Sequence, residues 1–511
     1  MNPLPVKTWE LTQDTTTADL LAALALGFTA EPSVTTTSTM TFFDDFDAHL
    51  WRANYLFYCI LFYGTDEQRY QLIDHAGNAE EASAFGNTKF WWNFLEGSAQ
   101  KILQNLIGVR ALMPVASLHL LEQNVALRNY DLKLVVKACI KSHVVDTQTT
   151  HYLTLTALRG YTKEFTKAAD IIAPFVKREL DAFGLKYLLT ETTPLSFTPE
   201  QTSLPSLTAD MHTEQAVRAM AVAMLQQASV HVPGVIADTD TEFLHQFRVN
   251  FRKLRSLVSL LHKALPAETV ALLKPTLSSI AGATNKLRDL DVFLLEQDTY
   301  RAMLPENFST GLSELYEFIE LRREQEKISV ARYFLSDTYT NDLAMCAAEL
   351  SLPASLQTPM ATKPLLRAVN KLLLNRYHKM LTMSTVIHSE APDEEVHELR
   401  IEFKKLRYLI EFFSSLLPPK RIDKFIGTVK KIQTVLGNFN DYGIQIEFLS
   451  SYVDDNRIEM SKALSGLIAV LHQKKMAERQ KVDAALANFF TPVTTNDVEF
   501  LFGATTSGVS E

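Results

Sequence analysis

LHQFRVNFRKLRSLVSLL, residues Leu244–Leu261, and VHELRIEFKKLRYLIEFF, residues Val396–Phe413, align without a gap at an offset of 152 residues. His245 pairs with His397, Arg248 with Arg400, Arg252 with Lys404, Lys253 with Lys405 and Arg255 with Arg407. The same offset brings LRDLDVFL (from Leu287) onto FNDYGIQI (from Phe439), matching Asp289 to Asp441 and Arg288 to Asn440. Two separate blocks in one register are an internal duplication, and a duplication decides architecture before any local reading.

His245, Arg248, Arg252 and Arg255 step by three, four and three residues, which on an α-helix places all four on one face. His397, Arg400, Lys404 and Arg407 repeat the pattern, while Lys253 and Lys405 sit beside the stripe. Phe247, Phe251, Leu254, Val258 and Leu261 make an adjacent apolar face, as do Leu399, Phe403, Leu406 and Ile410. Each helix therefore has one face for a core and one cationic face. Like charges one turn apart cost a helix a few tenths of a kcal/mol per pair. No acid lies between Phe243 and Ala267 to offset this. A solvated face normally mixes its signs and does not keep one order of residue types twice.

The residue types suit phosphate. Guanidinium is a rigid fork of donors that matches phosphate oxygens, and charge-assisted bonds are the stronger kind. Stripe positions one turn apart are spaced about 5.4 Å along the axis, so a flexible linear phosphate polymer reaches several at once. No aromatic residue interleaves with the stripe, so stacking of single-stranded bases is poorly supported.

With LRDLDV and LGNFND in the same order, the two blocks resemble the CHAD family (conserved histidine α-helical domain) over about residues 205–490. The resemblance implies two four-helix bundles related by a pseudo-twofold axis, a basic groove or pore, and inorganic polyphosphate as ligand. It carries the binding role to His245, Arg248, Arg252, Lys253, Arg255 and Arg288, and to His397, Arg400, Lys404, Lys405 and Arg407. Asn440 in place of a second arginine implies an asymmetric site.

The rest of the chain is read outward from this module. Glu191–Pro205 holds three prolines and many Ser/Thr, a linker composition. From 206 to 490 the apolar residues fall at helical spacing with Pro- or Gly-containing breaks, giving repeat halves of about 206–345 and 360–490. Residues 491–511 are Thr/Ser-rich and read as a disordered tail. Before the linker, residues 1–190 read as α+β: Ala53–Phe62, Leu132–Ile140 and His151–Arg159 as strands, Glu31–Met40 as extended chain, Trp91–Leu121 and Thr162–Phe183 as helices. MTFFDDFDAHLWRANYLFY from Met40, IGVRALMPVASL from Ile107, RNYDLKLVVKA from Arg128 and LTALRGYTKEF from Leu155 resemble the CYTH, or triphosphate tunnel, family. That resemblance implies an antiparallel β-tunnel with flanking helices. Active members carry an ExExK motif whose glutamates hold a divalent metal. VKTWELTQD, residues 6–14, offers only Glu10. Phosphoryl chemistry without clustered carboxylates is hard to run, so the domain reads as a degenerate relative, with no catalytic residue, metal or organic cofactor expected.

Composition limits the alternatives. The chain has 511 residues, too many for one core. Its 17 glycines argue against a turn-rich all-β protein. The net charge of −9 gives no long-range attraction for a polyanion, so an anion site must be a local concentration of charge. Cys59, Cys139 and Cys346 are far apart and form no metal pattern, which fits buried thiols in a reducing cytoplasm. No run of eighteen apolar residues and no secretory leader is read, so no membrane partner is expected. The expectation is a cytoplasmic polyphosphate-binding protein, in one version recruited to polyphosphate granules. The rivals are a triphosphate or polyphosphate hydrolase working through the N-terminal tunnel, and a nucleic-acid-binding module, since arginine stripes also grip phosphodiester backbones.

Overall fold

In the computed structural model, residues 5–180 are described apart from 66, 85, 87, 146 and 147, together with Gly184 and residues 204–503 apart from 389, 390 and 453–457. The chain divides into two compact units, Met1–Gln201 and Thr202–Glu511. The expected linker, 191–205, lies almost wholly outside the described residues.

The first unit is built on one antiparallel sheet, as the tunnel resemblance implies. Its strands are β1 (Val6–Leu11), β2 (Thr29–Pro32), β3 (Thr36–Asp44), β4 (Leu56–Phe62), β5 (Gln68–Ile73), β6 (Ala79–Ala82), β7 (Met113–Arg128), β8 (Leu134–Val145), β9 (Gln148–Ala157) and β10 (Val176–Leu180). They run in the order β10-β1-β9-β8-β7-β3-β4-β5-β6, with β2 also on β7. Helices α1 (Thr17–Ala25), α2 (His49–Arg52), α3 (Ser98–Ile107) and α4 (Thr162–Ile172) accompany it. α1 and α4 cover one apolar face: Leu20, Leu24, Phe165, Ala168 and Ile172 pack with Trp9, Leu127, Val136, Leu153 and Leu155. Two expected helices are shorter than the sequence suggests. The Trp91–Leu121 stretch holds α3 but then enters β7, whose side chains alternate across a ladder paired on both edges by β3 and β8. The Thr162–Phe183 stretch stops at Ile172. A short turn containing Pro174 follows, and β10 then pairs with β1.

The second unit is helical: α5 (Thr213–Ser229), α6 (Val232–Ile236), α7 (Thr241–Leu260), α8 (Ala267–Gly282), α9 (Asn285–Leu295), α10 (Gln297–Arg301), α11 (Ser309–Phe334), α12 (Asp337–Ser351), α13 (Leu365–Ser384), α14 (Asp393–Phe413), α15 (Pro419–Ser450), α16 (Ile458–Phe489) and α17 (Pro492–Phe502). The offset read from two motifs organises its longer helices. Shifted by 152, α5 falls on α13, α7 on α14, α8 plus α9 on α15, α11 on α16 and α12 on α17. The duplication therefore reaches beyond 490, and the expected disordered tail is corrected over Pro492–Phe502, while residues 504–511 lie outside the described residues. α17 is the last helix of the second repeat, with Val498, Leu501 and Phe502 buried and Phe502 on Phe425 at 6.1 Å between ring centroids. Thr/Ser composition concealed it because those residues cap: the Thr491 hydroxyl accepts from the Thr494 amide.

The apolar faces expected on α7 and α14 are core. Phe247, Phe251, Leu254, Val258 and Leu261, and Leu399, Phe403, Leu406 and Ile410, are all buried. The segment Thr213–Ile236, with mean hydropathy 1.3, is long and apolar enough to cross a membrane, which the sequence reading did not expect, and half of it is buried inside the protein. It also carries the buried ion pair Arg218–Glu214, at 2.9 Å.

Candidate anion-binding site

Why α7 is a helix at all is a question, given its uncompensated cations. The Asp240 carboxylate caps it, accepting from the amides of Glu242 and Phe243, and five large apolar side chains anchor it. The remaining face is then free to carry charge. α14 lacks a side-chain cap but is anchored by its own buried apolar face and lies against α7, and the Arg252 Nε donates to the Tyr408 hydroxyl across the two at 3.2 Å.

Between them is a cavity of about 540 Å³. Arg252, Arg255, Ser256 and Ser259 of α7, Lys274 and Ser278 of α8, and Lys404, Lys405 and Tyr408 of α14 line it with a few apolar neighbours. Five of the lining residues are cations and none is a carboxylate. Among the described residues, neither Arg255, Lys274 nor Lys404 has a hydrogen bond or ion pair. Burial, with Arg400, Arg252 and Arg407 nearby, pushes the Lys404 amine down to about 8, although Asp441 opposes them.

The eleven residues expected to bind divide into those gathered here and those used otherwise. Arg252, Arg255, Lys404 and Lys405 line the cavity, although the Lys405 Nζ is also held by Glu402 at 3.0 Å. Lys253 is not among the lining residues. Arg407 is turned to other partners: its Nε donates to Glu411 at 2.6 Å and its Nη1 to Gln433 at 3.3 Å. The binding role expected of Arg407 would require these contacts to be exchanged for ligand. Ser259 of the first repeat corresponds to Glu411 of the second, and that acid neutralises the arginine.

Further up the helices, the two repeats use their arginines differently. Arg248 Nη1 donates to the Ala281 carbonyl, the Thr284 hydroxyl and Asn285 Oδ1 at 2.8–3.2 Å. These groups lie where α8 ends and α9 begins, so Arg248 satisfies a broken helix end. In the second repeat α15 is continuous there, and Arg400 pairs instead with Asp441 at 2.8 Å. His397 Nδ1 meets Asn440 Oδ1 at 2.5 Å. At the corresponding place His245 faces a cation. Its pKa is lowered first by burial and then by Arg288, with Arg252 and Arg248 adding and Glu242 opposing. The two repeats thus differ in local geometry at the positions of Arg288 and Asn440. Two buried donors here lack an acceptor, Arg288 Nη1 and Arg400 Nε. Such orphans are what an oxyanion would satisfy.

Sequence reasoning missed Lys274, Tyr408 and the serines. Lys274 corresponds to Ile426 in the second repeat, so no repeated signal singles it out.

The CHAD domain family model matches residues 219–450. The helical unit contains a CHAD domain. Among solved structures, the chain is similar to the CHAD domain of the plant Ricinus communis, with 22% identity and a TM-score of 0.49, covering 57% of this chain and 96% of that one. It is also similar to PptA from Streptomyces chartreusis, with 15% identity and a TM-score of 0.42, covering 54% of this chain and all of that one. A putative adenylyl cyclase from Hippeastrum, described as having a dominant triphosphatase activity, is similar at 13% identity and a TM-score of 0.25, over 37% of this chain and 86% of that one. No curated protein matches.

In the first unit Glu10 is spoken for. It is buried and accepts from Lys177 at 2.7 Å and Arg178 at 2.6 Å, both on the neighbouring β10. Asp45, Asp47 and His49 are close enough together to suggest a metal. However, Asp45 accepts from the amides of Asp47 and His49, and Asp47 is paired with the buried Arg110. Those carboxylates organise the turn into α2.

Proposed function

We propose that the CHAD domain binds inorganic polyphosphate, or a closely similar linear phosphate anion, in the cavity between α7, α8 and α14. The observation that carries this is a cavity lined by five cations and no carboxylate, in a chain whose net charge is −9. Concentrating unpaired Lys and Arg around a cavity costs folding free energy, and an anion removes that cost. Linear phosphate chains place a charge at every unit and can meet Arg252, Arg255, Lys274 and Lys404 together.

We read the first unit as a degenerate, non-catalytic relative of the CYTH proteins. The binding of Glu10 to Lys177 and Arg178 supports this reading, as does the absence of the paired glutamates. Hydrolysis of triphosphates by this unit is the alternative, tested by phosphate release with Mg²⁺ or Mn²⁺. Recruitment to polyphosphate granules in the cytoplasm would follow from the binding.

The test is titration of the full chain with labelled polyphosphate of defined lengths, at several salt concentrations, with duplex DNA as competitor. Affinity is expected to fall linearly in log–log form with salt, because neutralised phosphates release counterions, and DNA should compete poorly. No binding, or equal competition by DNA, would overturn the proposal.

A further inference from the structure

We propose that Lys404 is a site of covalent acylation by small acyl phosphates. This rests on the cavity being a phosphate site. Four observations converge. Lys404 lines the cavity and, among the described residues, has no hydrogen bond or ion pair, whereas its neighbour Lys405 is held by Glu402. Arg252, Arg255 and Lys274 surround the same space and would hold the phosphoryl end of a small donor. The cavity, about 540 Å³, has room for one. Finally, burial and the adjacent guanidinium groups bring the amine of the empty site down to about 8, so that a reactive uncharged fraction persists at and above pH 8 even though a bound phosphoryl group raises that value. Desolvation next to other cations is the standard route to a nucleophilic lysine.

The step balances without a further reagent. The neutral Nζ lone pair attacks the acyl carbon and an N–C bond forms. The C–O bond to phosphate breaks, and inorganic phosphate leaves with the electron pair. The nitrogen gives up its proton to water. The product is an uncharged amide in place of a cation, so acylation would lower the affinity of the cavity for anions. It would make phosphate binding responsive to the supply of activated acyl groups.

The experiment treats the full chain at pH 8 with acetyl phosphate and, in parallel, with the N-hydroxysuccinimide ester of acetate, which carries no phosphate. Site occupancy is followed by fragmentation mass spectrometry of Glu-specific digests. Lys404 is expected to acetylate about tenfold or more faster than Lys405 and Lys274 with both reagents. Excess tripolyphosphate should protect it, and Arg252→Ala should slow the acetyl phosphate reaction more than that of the ester. If Lys404 reacts no faster than Lys405 with either reagent while tripolyphosphate still binds by calorimetry, acylation is overturned and the anion site stands. If Lys404 is selective only toward the ester and tripolyphosphate neither protects nor binds, the phosphate reading of the cavity fails, and this proposal with it.

Discussion

In the first repeat Arg248 closes the broken end of α8 and Arg255 lines the cavity with no partner among the described residues; in the second, Arg400 pairs with Asp441 and Arg407 with Glu411. The helices correspond one for one, yet the charge is balanced differently. Ser259 became or remained a serine where its counterpart is Glu411, and Lys274 stands where its counterpart is Ile426. Duplication has preserved the apolar contacts that hold each bundle, because volume changes there are costly. Surface charge was free to diverge, and among the described residues it left a cavity lined by cations on the side of α8.

The largest expected effect tests what the repeats share. Leu350 of α12 and Phe502 of α17 occupy equivalent positions and are both buried. Leu350→Ala should destabilise the CHAD domain by about 2–5 kcal/mol and Phe502→Ala by about 3–5 kcal/mol, read by chemical denaturation of the full chain. A neutral outcome at Phe502 would mean that α17 is not an integral part of the second repeat.

Next comes the difference in charge. Replacing Arg252, Arg255 and Lys274 together with Ala should weaken tripolyphosphate binding by about 1000-fold or more, at roughly 1.5–3 kcal/mol per charged hydrogen bond. Arg407→Ala should change it by less than about threefold, because that side chain is already engaged in a partly exposed ion pair. Equal losses would restore two equivalent stripes. Transplanting the acid sharpens the same point. Ser259→Glu should cost about tenfold or more in affinity by setting a carboxylate beside the anion. Glu411→Ser should free Arg407 and raise the number of anions bound per chain, counted by calorimetry.

The smallest effect is in pH. A bound anion favours the charged amine, so binding raises the pKa of Lys404 above about 8 and takes up a proton. Affinity should therefore be flat below pH 7 and fall as pH rises through 8 toward 10, by about tenfold at most. Lys404→Arg should abolish the fall, since guanidinium stays charged throughout. A profile unchanged by that substitution would assign the pH dependence to another group.

Much of this was legible in the chain itself. The helical faces of α7 and α14 could be read because apolar periodicity is a local property, enforced wherever a helix must bury one side. The strands β4, β8 and β9 were legible from their β-branched and aromatic runs. β7 was not, because its alternation is only half-buried and its pairing partners are distant in sequence. α17 was hidden by a composition suited equally to caps and to loose chain.

By itself, then, the sequence determined the duplication, the CHAD resemblance and which side chains could be cationic faces, because identity at a fixed offset and helical spacing need no third dimension. Only the tertiary structure decided which of those cations remain available. Whether Arg255 is open and Arg407 closed depends on a serine or a glutamate one turn away, and Lys274 joins the site from another helix through packing. Electrostatic pairing acts over a few ångströms in space, and neither composition nor periodicity records those distances.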